Sequence, residues 1–159
     1  MKLKVKTNKN NYSIIIGKNL CSKIYKIILN ERMYSQKFLL VYDSKVPTQM
    51  IKSIISRFNK DKIEKKKIVF NEKSKNLKTV SSIVKILEKN NFSRNDSLIC
   101  VGGGICGDVC GFASSIFKIE ETVFKFLVFS LKIIFFFSIL FLLNLLKIDL
   151  IILDGTLLS

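Results

Sequence analysis

The residues best suited to chemistry in this chain of 159 residues form a glycine-rich stretch, V-G-G-G-I-C-G-D-V-C-G, from Val101 to Gly111. The apolar run Ser97–Val101 before it is typical of a buried strand, and the small residues after it are typical of a helix. Glycines let a backbone approach a ligand closely, and a helix N-terminus carries partial positive charge. A strand, a glycine turn and a helix in this order predict a phosphate-binding site.

Two other polar positions also follow strand candidates. Asp43 ends a short apolar run, and the Glu72–Lys75 segment follows the next strand candidate. Ligands of parallel sheets bind beyond the carboxyl ends of the strands, so we expect both positions to converge on the glycine turn. Structural roles remain open for the same residues: Asp43 would also fit a helix cap, and Glu72 and Lys75 the solvated first turn of the following helix.

The rest of the chain up to about residue 117 alternates between strand and helix patterns. Strand candidates lie at 3–6, 12–16, 37–42, 63–70 and 98–101, with a hairpin turn at 8–11 between the first two. Apolar residues recur at helical spacing within 20–28, 50–58 and 77–87. This alternation predicts an α/β, Rossmann-like fold, with a mostly parallel sheet and helices on both faces.

Charge and cysteine content add little about function. The net charge of +15 comes mainly from lysines, which lie almost entirely before Lys118. Abundant Lys, Asn, Ile and Phe together are the compositional bias of an AT-rich genome. No nucleic-acid-binding module is visible, and we expect no nucleic-acid partner. The cysteines lack metal-site spacing, so we interpret them as reduced core residues of an intracellular protein; they are Cys21, Cys100, Cys106 and Cys110.

Over roughly residues 1–117 the sequence resembles the 3-dehydroquinate synthase family. The pattern S-L-I-x-x-G-G-G-x-x-G-D-x-x-G-F-A is reproduced from Ser97 onward, V-Y-D-S-K-V from Val41 and E-K-S-K-N-L from Glu72. Glycerol dehydrogenases carry a similar glycine triplet, but they favour G-G-G-S, whereas this chain has G-G-G-I-C-G-D. Asn71 stands where the family usually has glycine, and Lys45 where another polar residue is common.

The resemblance implies that the first domain binds NAD. Asp43 then lies at the adenosine end of the cofactor, and Glu72 and Lys75 lie near its ribose. The implied cofactor-binding residues are Asp43, Glu72, Lys75, Gly103, Gly104, Gly107 and Asp108. The three glycines among them bring backbone N–H groups to the pyrophosphate, and Asp108 lies on the nicotinamide side.

The resemblance also implies a reaction. The family converts 3-deoxy-arabino-heptulosonate 7-phosphate, a phosphorylated sugar acid, to 3-dehydroquinate and phosphate in the cytoplasm, in the shikimate pathway of aromatic amino acid biosynthesis. The family enzyme is a homodimer that uses NAD and a divalent metal, usually zinc, held by a glutamate and two histidines of a second domain. This chain contains no histidine. We therefore predict no catalytic or metal-binding residues here, and no activity of these residues alone.

The resemblance ends after Phe117, which suggests a synthase that is truncated or frame-disrupted there. We divide the chain into an NAD-binding domain at 1–117 and an apolar tail at 118–159. Phe126–Leu146 is apolar enough to predict a long C-terminal helix, and the cost of Lys132, about 3 kcal/mol, is offset by its apolar neighbours. Two origins stay open: a membrane span, giving a single-pass anchored nucleotide-binding protein, or an out-of-frame or unspliced passage.

Overall fold

The computed structural model describes residues 1–6, 11–30, 35–117, 123–128 and 150–154. Its strands are β1 (Lys2–Lys6), β2 (Asn11–Gly17), β3 (Phe38–Asp43), β4 (Ile63–Ile68), β5 (Ser97–Gly102), β6 (Val123–Val128) and β7 (Leu150–Asp154). Its helices are α1 (Ile24–Asn30), α2 (Thr48–Ile55), α3 (Leu77–Lys89) and α4 (Gly104–Phe117). Short 3₁₀ turns cover Cys21–Lys23, Lys60–Lys62 and Glu72–Ser74.

The seven strands in the described part of the chain form one sheet in the order β1-β2-β7-β6-β5-β3-β4. β1 and β2 pair antiparallel, as the hairpin pattern predicts, although the turn between them lies outside the described residues. Every other neighbouring pair is parallel. The predicted α/β fold, with a mostly parallel sheet and flanking helices, is confirmed.

Alternating side chains of the central strands build a separate core on each face of the sheet. Leu39 and Val41 of β3 pack with α3 and α4 on one face, which we call the α4 face. Phe38 and Leu40 pack with α1 and α2 on the other, the α1 face. β5 is buried along its whole length because helices cover both of its sides.

Helix boundaries follow local capping. The Asn76 side chain accepts a hydrogen bond from the backbone N–H of Thr79 at 2.9 Å and so begins α3. α3 ends at Lys89, and Asn91, two residues later, has a φ of 51°, a left-handed conformation that asparagine tolerates. On its inner face Val80, Ile83 and Leu87 are buried at helical spacing, as their periodicity predicts.

The expectation of a long apolar C-terminal helix is wrong for its first residues. Val123–Val128 forms a strand that pairs with β5, because these residues can extend the buried parallel sheet by one more strand. The remainder of the predicted helix, 129–146, lies outside the described residues. Among the residues that the structure describes, no helix has the length and apolar character needed to cross a membrane.

Candidate functional site

The glycine turn joins β5 to α4 at the carboxyl end of the sheet. β5 ends at Gly102, and α4 begins at Gly104. The backbone N–H of Gly107 donates to the Gly103 carbonyl at 3.1 Å, which makes Gly103 the N-cap residue of α4. The N–H groups of the first helical turn have no partner within the helix, so Gly104, Ile105 and Cys106 point donors beyond the strand end.

The three consecutive glycines differ in what surrounds them. A Cβ atom on Gly102 would lie 2.9 Å from Cys106 Cβ and 3.1 Å from Asp43 Cβ, so packing excludes a side chain there. A Cβ on Gly103 or Gly104 would meet no atom within 4 Å. None of the glycines in the described part of the chain has a positive φ. The fold of these residues therefore demands glycine at 102, but neither packing nor backbone conformation demands it at 103 or 104.

Asp43 is the last residue of β3 and lies beside the glycine turn. It is 8% exposed, and both hydrogen bonds to its side chain reach Oδ1, from Lys45 N–H at 3.1 Å and Ser44 Oγ at 3.3 Å. Asp43 does not cap α2, whose N-cap residue is Pro47. Because the bonds hold only Oδ1, the carboxylate is oriented while Oδ2 receives no donor from the described residues.

The Glu72–Lys75 segment forms a capped turn ahead of α3. The Asn71 side chain accepts from Ser74 N–H at 3.1 Å, and Ser74 Oγ accepts from Asn71 N–H at 2.9 Å. Asn71 has a φ of −150°, so the position that is usually glycine in the family needs no left-handed backbone here. Glu72 and Lys75 are exposed and precede the first turn of α3 rather than belonging to it.

Lys75 and Asp108 are brought together across the mouth of the site. Lys75 Nζ lies 3.2 Å from Asp108 Oδ2, with the side chains 54% and 22% exposed. Asp108 sits one turn into α4, so this ion pair ties the turn before α3 to the helix that follows the glycines. The structure thus places Asp43, Lys75, Gly103, Gly104 and Asp108 around one strand end.

Three buried thiols lie in the core next to the glycine turn. Cys106 and Cys110 of α4 and Cys100 of β5 are at most 2% exposed and belong to the core of the α4 face. Burial raises the pKa of the Cys106 thiol well above its usual value, and hydrogen bonds with the other two thiols raise it further. None of the four cysteines forms a disulfide, and all are buried core residues. In the part of the chain that the structure describes, no group of His, Cys, Asp or Glu is arranged to hold a metal ion.

Sequence comparisons show which proteins this chain is similar to. The family profile described as 3-dehydroquinate synthase N-terminal matches residues 65–123. The 3-dehydroquinate synthase of Pelagibacter ubique is 44% identical over 118 residues, which cover 74% of this chain and 32% of that protein. Over these residues the chain is similar to the N-terminal part of 3-dehydroquinate synthases. The synthase of Methylacidiphilum infernorum is 34% identical over 119 residues, 74% of this chain and 33% of the relative, so the match spans about a third of either synthase.

Solved structures share the fold of this chain. A 2-deoxy-scyllo-inosose synthase superposes with a TM-score of 0.74 at 14% identity, covering 97% of this chain and 47% of that one. Such a synthase in complex with carbaglucose-6-phosphate, NAD⁺ and Co²⁺ gives 0.66 at 19% identity, covering 80% and 34%. The 2-epi-5-epi-valiolone synthase of Streptomyces hygroscopicus, with NAD⁺ and Zn²⁺ bound, gives 0.63 at 15% identity, covering 94% and 44%.

The sequence did not predict two features of the glycine turn. The Gly107 N–H, expected to face a pyrophosphate, is engaged within α4, and the first-turn amides of Ile105 and Cys106 are better placed as donors. The three glycines also differ in role: packing requires glycine at 102 but not at 103 or 104. Both features depend on the residue at which α4 begins, and the run of small residues does not indicate that residue.

Proposed function

We propose that this chain is the NAD-binding part of a 3-dehydroquinate synthase. The enzyme would convert 3-deoxy-arabino-heptulosonate 7-phosphate to 3-dehydroquinate and phosphate. The similarity to 3-dehydroquinate synthases supports this proposal at the level of the whole protein. The observation that carries it for these residues is the open space in front of Gly103 and Gly104.

NAD fits this site for a physical reason. A glycine that neither φ nor a protein neighbour requires is explained by a group that comes close to the backbone from outside. The adjoining helix N-terminus presents N–H donors and partial positive charge, which suit the pyrophosphate of a dinucleotide. When bound, NAD accepts a hydride from the substrate and later returns it.

The surrounding side chains have roles suited to the rest of the dinucleotide. Asp43 Oδ2 is positioned to accept a hydrogen bond from a ribose hydroxyl, while Oδ1 stays fixed by Ser44 and Lys45. Glu72, in the turn that follows β4, offers a second carboxylate. Lys75 supplies a cation near the ribose, and Asp108 holds the Lys75 ammonium in place.

A zinc site does not fit the residues present. The sequence contains no histidine, and the described residues hold no suitable cluster. The divalent metal that the proposed enzyme needs would therefore require ligands other than these.

We also propose a phosphorylated sugar acid as substrate, a cytoplasmic location, a place in the shikimate pathway, a homodimer, and the division of the chain into 1–117 and 118–159.

Calorimetric titration of the full chain with NAD tests the proposal. We expect saturable binding that Gly104→Val abolishes, because the added side chain would occupy the space that the pyrophosphate needs. Ser81→Val, on the exposed side of α3, is the matched control and should bind like the unmodified chain. Unchanged NAD affinity in a folded Gly104→Val variant would contradict the assignment.

A further inference from the structure

The turn before α3 is closed by two side chains that bond to each other's backbone. Ser74 Oγ accepts a hydrogen bond from Asn71 N–H at 2.9 Å and donates one to the Asn71 carbonyl at 2.6 Å. In return, Asn71 Oδ1 accepts from Ser74 N–H at 3.1 Å. We call this pair the Asn71–Ser74 cap. Its reciprocal bonds fix the two ends of the turn relative to each other.

The residue that follows this cap, Lys75, is held by backbone hydrogen bonds on both sides. Its φ of −77° and ψ of 65° are those of an inverse γ-turn, which Asn76 N–H closes by donating to the Ser74 carbonyl at 2.9 Å. Lys75 N–H donates to the Glu72 carbonyl at 3.2 Å. Asn76 is the N-cap residue of α3, so ordered structure lies directly before and after Lys75.

The side chain of Lys75 leaves this ordered turn and reaches α4. Its Nζ lies 3.2 Å from Asp108 Oδ2, and the lysine side chain is 54% exposed. A single ion pair that is this exposed is weak, and a lysine side chain loses rotamer freedom when its ammonium is held in one place. The direction in which the Lys75 Cα–Cβ bond leaves the turn therefore decides how often the ammonium lies beside Asp108.

We propose that Asn71 and Ser74 are positioning residues that direct the Lys75 ammonium toward the bound dinucleotide. This inference rests on the proposed NAD site, in which Lys75 lies near the ribose. Asn71 and Ser74 act through Lys75 rather than by contact with NAD. The bonds of the cap are exposed, so water replaces them when the Ser74 hydroxyl is removed, and the fold is retained. What is lost is the fixed direction of Lys75.

Calorimetric titration of the full chain with NAD tests the positioning role. Ser74→Ala should weaken NAD binding about threefold to tenfold. In a chain that already carries Lys75→Ala, the same substitution should change the affinity by less than about twofold, because no ammonium is left to position. A purely structural role would weaken binding equally in both backgrounds. Ser74→Thr keeps the hydroxyl and should bind NAD like the unmodified chain.

The chain offers a matched control and a second variant. The Ser56 hydroxyl donates to the carbonyl three residues earlier, Ser53, at 3.0 Å, at the end of α2 on the α1 face. Ser56→Ala should therefore leave NAD affinity unchanged. Asn71→Ala removes the other side chain of the cap and should weaken binding as Ser74→Ala does. Unchanged affinity in both cap variants, or an equal loss with and without Lys75, would overturn the proposal.

A measurement without NAD separates this inference from the proposed function. A carbodiimide joins a lysine amine to a carboxylate directly beside it, so the yield of the Lys75–Asp108 crosslink in the full chain, measured by mass spectrometry, reports where the ammonium lies. Ser74→Ala should give about half the yield or less, and Ser56→Ala the yield of the unmodified chain. Equal yields would overturn the positioning role. A lowered yield in a chain that binds no NAD would support that role and contradict the proposed function alone.

Discussion

The two ends of the parallel sheet treat their polar groups differently. At the amino ends of β3 and β5, Asp96 is only 2% exposed and is bonded entirely within the chain. Its carboxylate accepts hydrogen bonds from Lys37 N–H at 2.8 Å, Ser93 N–H at 2.6 Å and Ser93 Oγ at 2.9 Å. The Ser35 and Ser97 hydroxyls bond to each other nearby, and Ser97 N–H donates to the Lys37 carbonyl.

The carboxyl ends of the same strands hold polar groups that the described residues do not use fully. Hydrogen bonds hold only one carboxylate oxygen of Asp43. Open space lies in front of Gly103 and Gly104, and the Lys75–Asp108 ion pair is partly solvated. One end of the sheet is thus a structural network, and the other is arranged for a ligand. Burial of an aspartate alone does not separate the two uses, whereas the number of donors that the fold supplies does.

The largest expected effect is on the structural end. Asp96→Ala leaves three partly buried hydrogen bonds without their buried acceptor and should lower the free energy of unfolding by about 3 kcal/mol. Denaturant unfolding measures this. Asp61→Ala, at an exposed acid of the Lys60–Lys62 turn, should change it by no more than about 0.5 kcal/mol. Similar values for the two variants would remove the distinction between a network and a solvated charge.

The next effect separates neighbouring glycines at the ligand end. Gly102→Ala forces a Cβ against Cys106 and Asp43 and should cost about 1–3 kcal/mol of unfolding free energy. Gly104→Ala has open space and a helical position, so it should be neutral or stabilise by up to about 1 kcal/mol. Thermal unfolding of both variants checks the difference. A Gly104→Ala chain as unstable as Gly102→Ala would mean that the fold itself requires glycine at position 104.

The smallest effect concerns the ion pair over the site. A double-mutant cycle with Lys75→Ala and Asp108→Ala should give a coupling energy of about 0.2–1 kcal/mol, because the Lys75 side chain is 54% exposed. The coupling should fall as salt is raised. Coupling above about 2 kcal/mol that salt does not change would place the pair with the structural network instead.

Much of this fold is predictable from local pattern. Helical spacing at Val80, Ile83 and Leu87 and the apolar run of β5 are enough to predict the elements and their alternation. β6 was missed because the residues that follow Val128 are as apolar as the strand, so a hydropathy pattern extends through both. Its pairing with β5 depends on the sheet, which no local window contains.

The candidate site is predictable only in part. Strand ends and the glycine turn locate Asp43 and Gly104, but the contact between Lys75 and Asp108 joins residues 33 positions apart. The Asp96 network was not anticipated because Ser93-Arg94-Asn95-Asp96 looks like an ordinary polar turn, and one of its donors is the backbone N–H of Lys37, 59 positions away. Backbone partners leave no signature in residue types.

The most direct test of the contrast between the two ends is a titration of the ¹⁵N-labelled full chain with NAD, followed by amide NMR shifts. We predict that the signals of Gly103, Gly104 and Ile105 move with NAD concentration, while those of Lys37 and Ser93 at the opposite end stay in place. Shifts centred on Lys37 and Ser93, or no shifts at any NAD concentration, would contradict a dinucleotide site at the carboxyl end of the sheet.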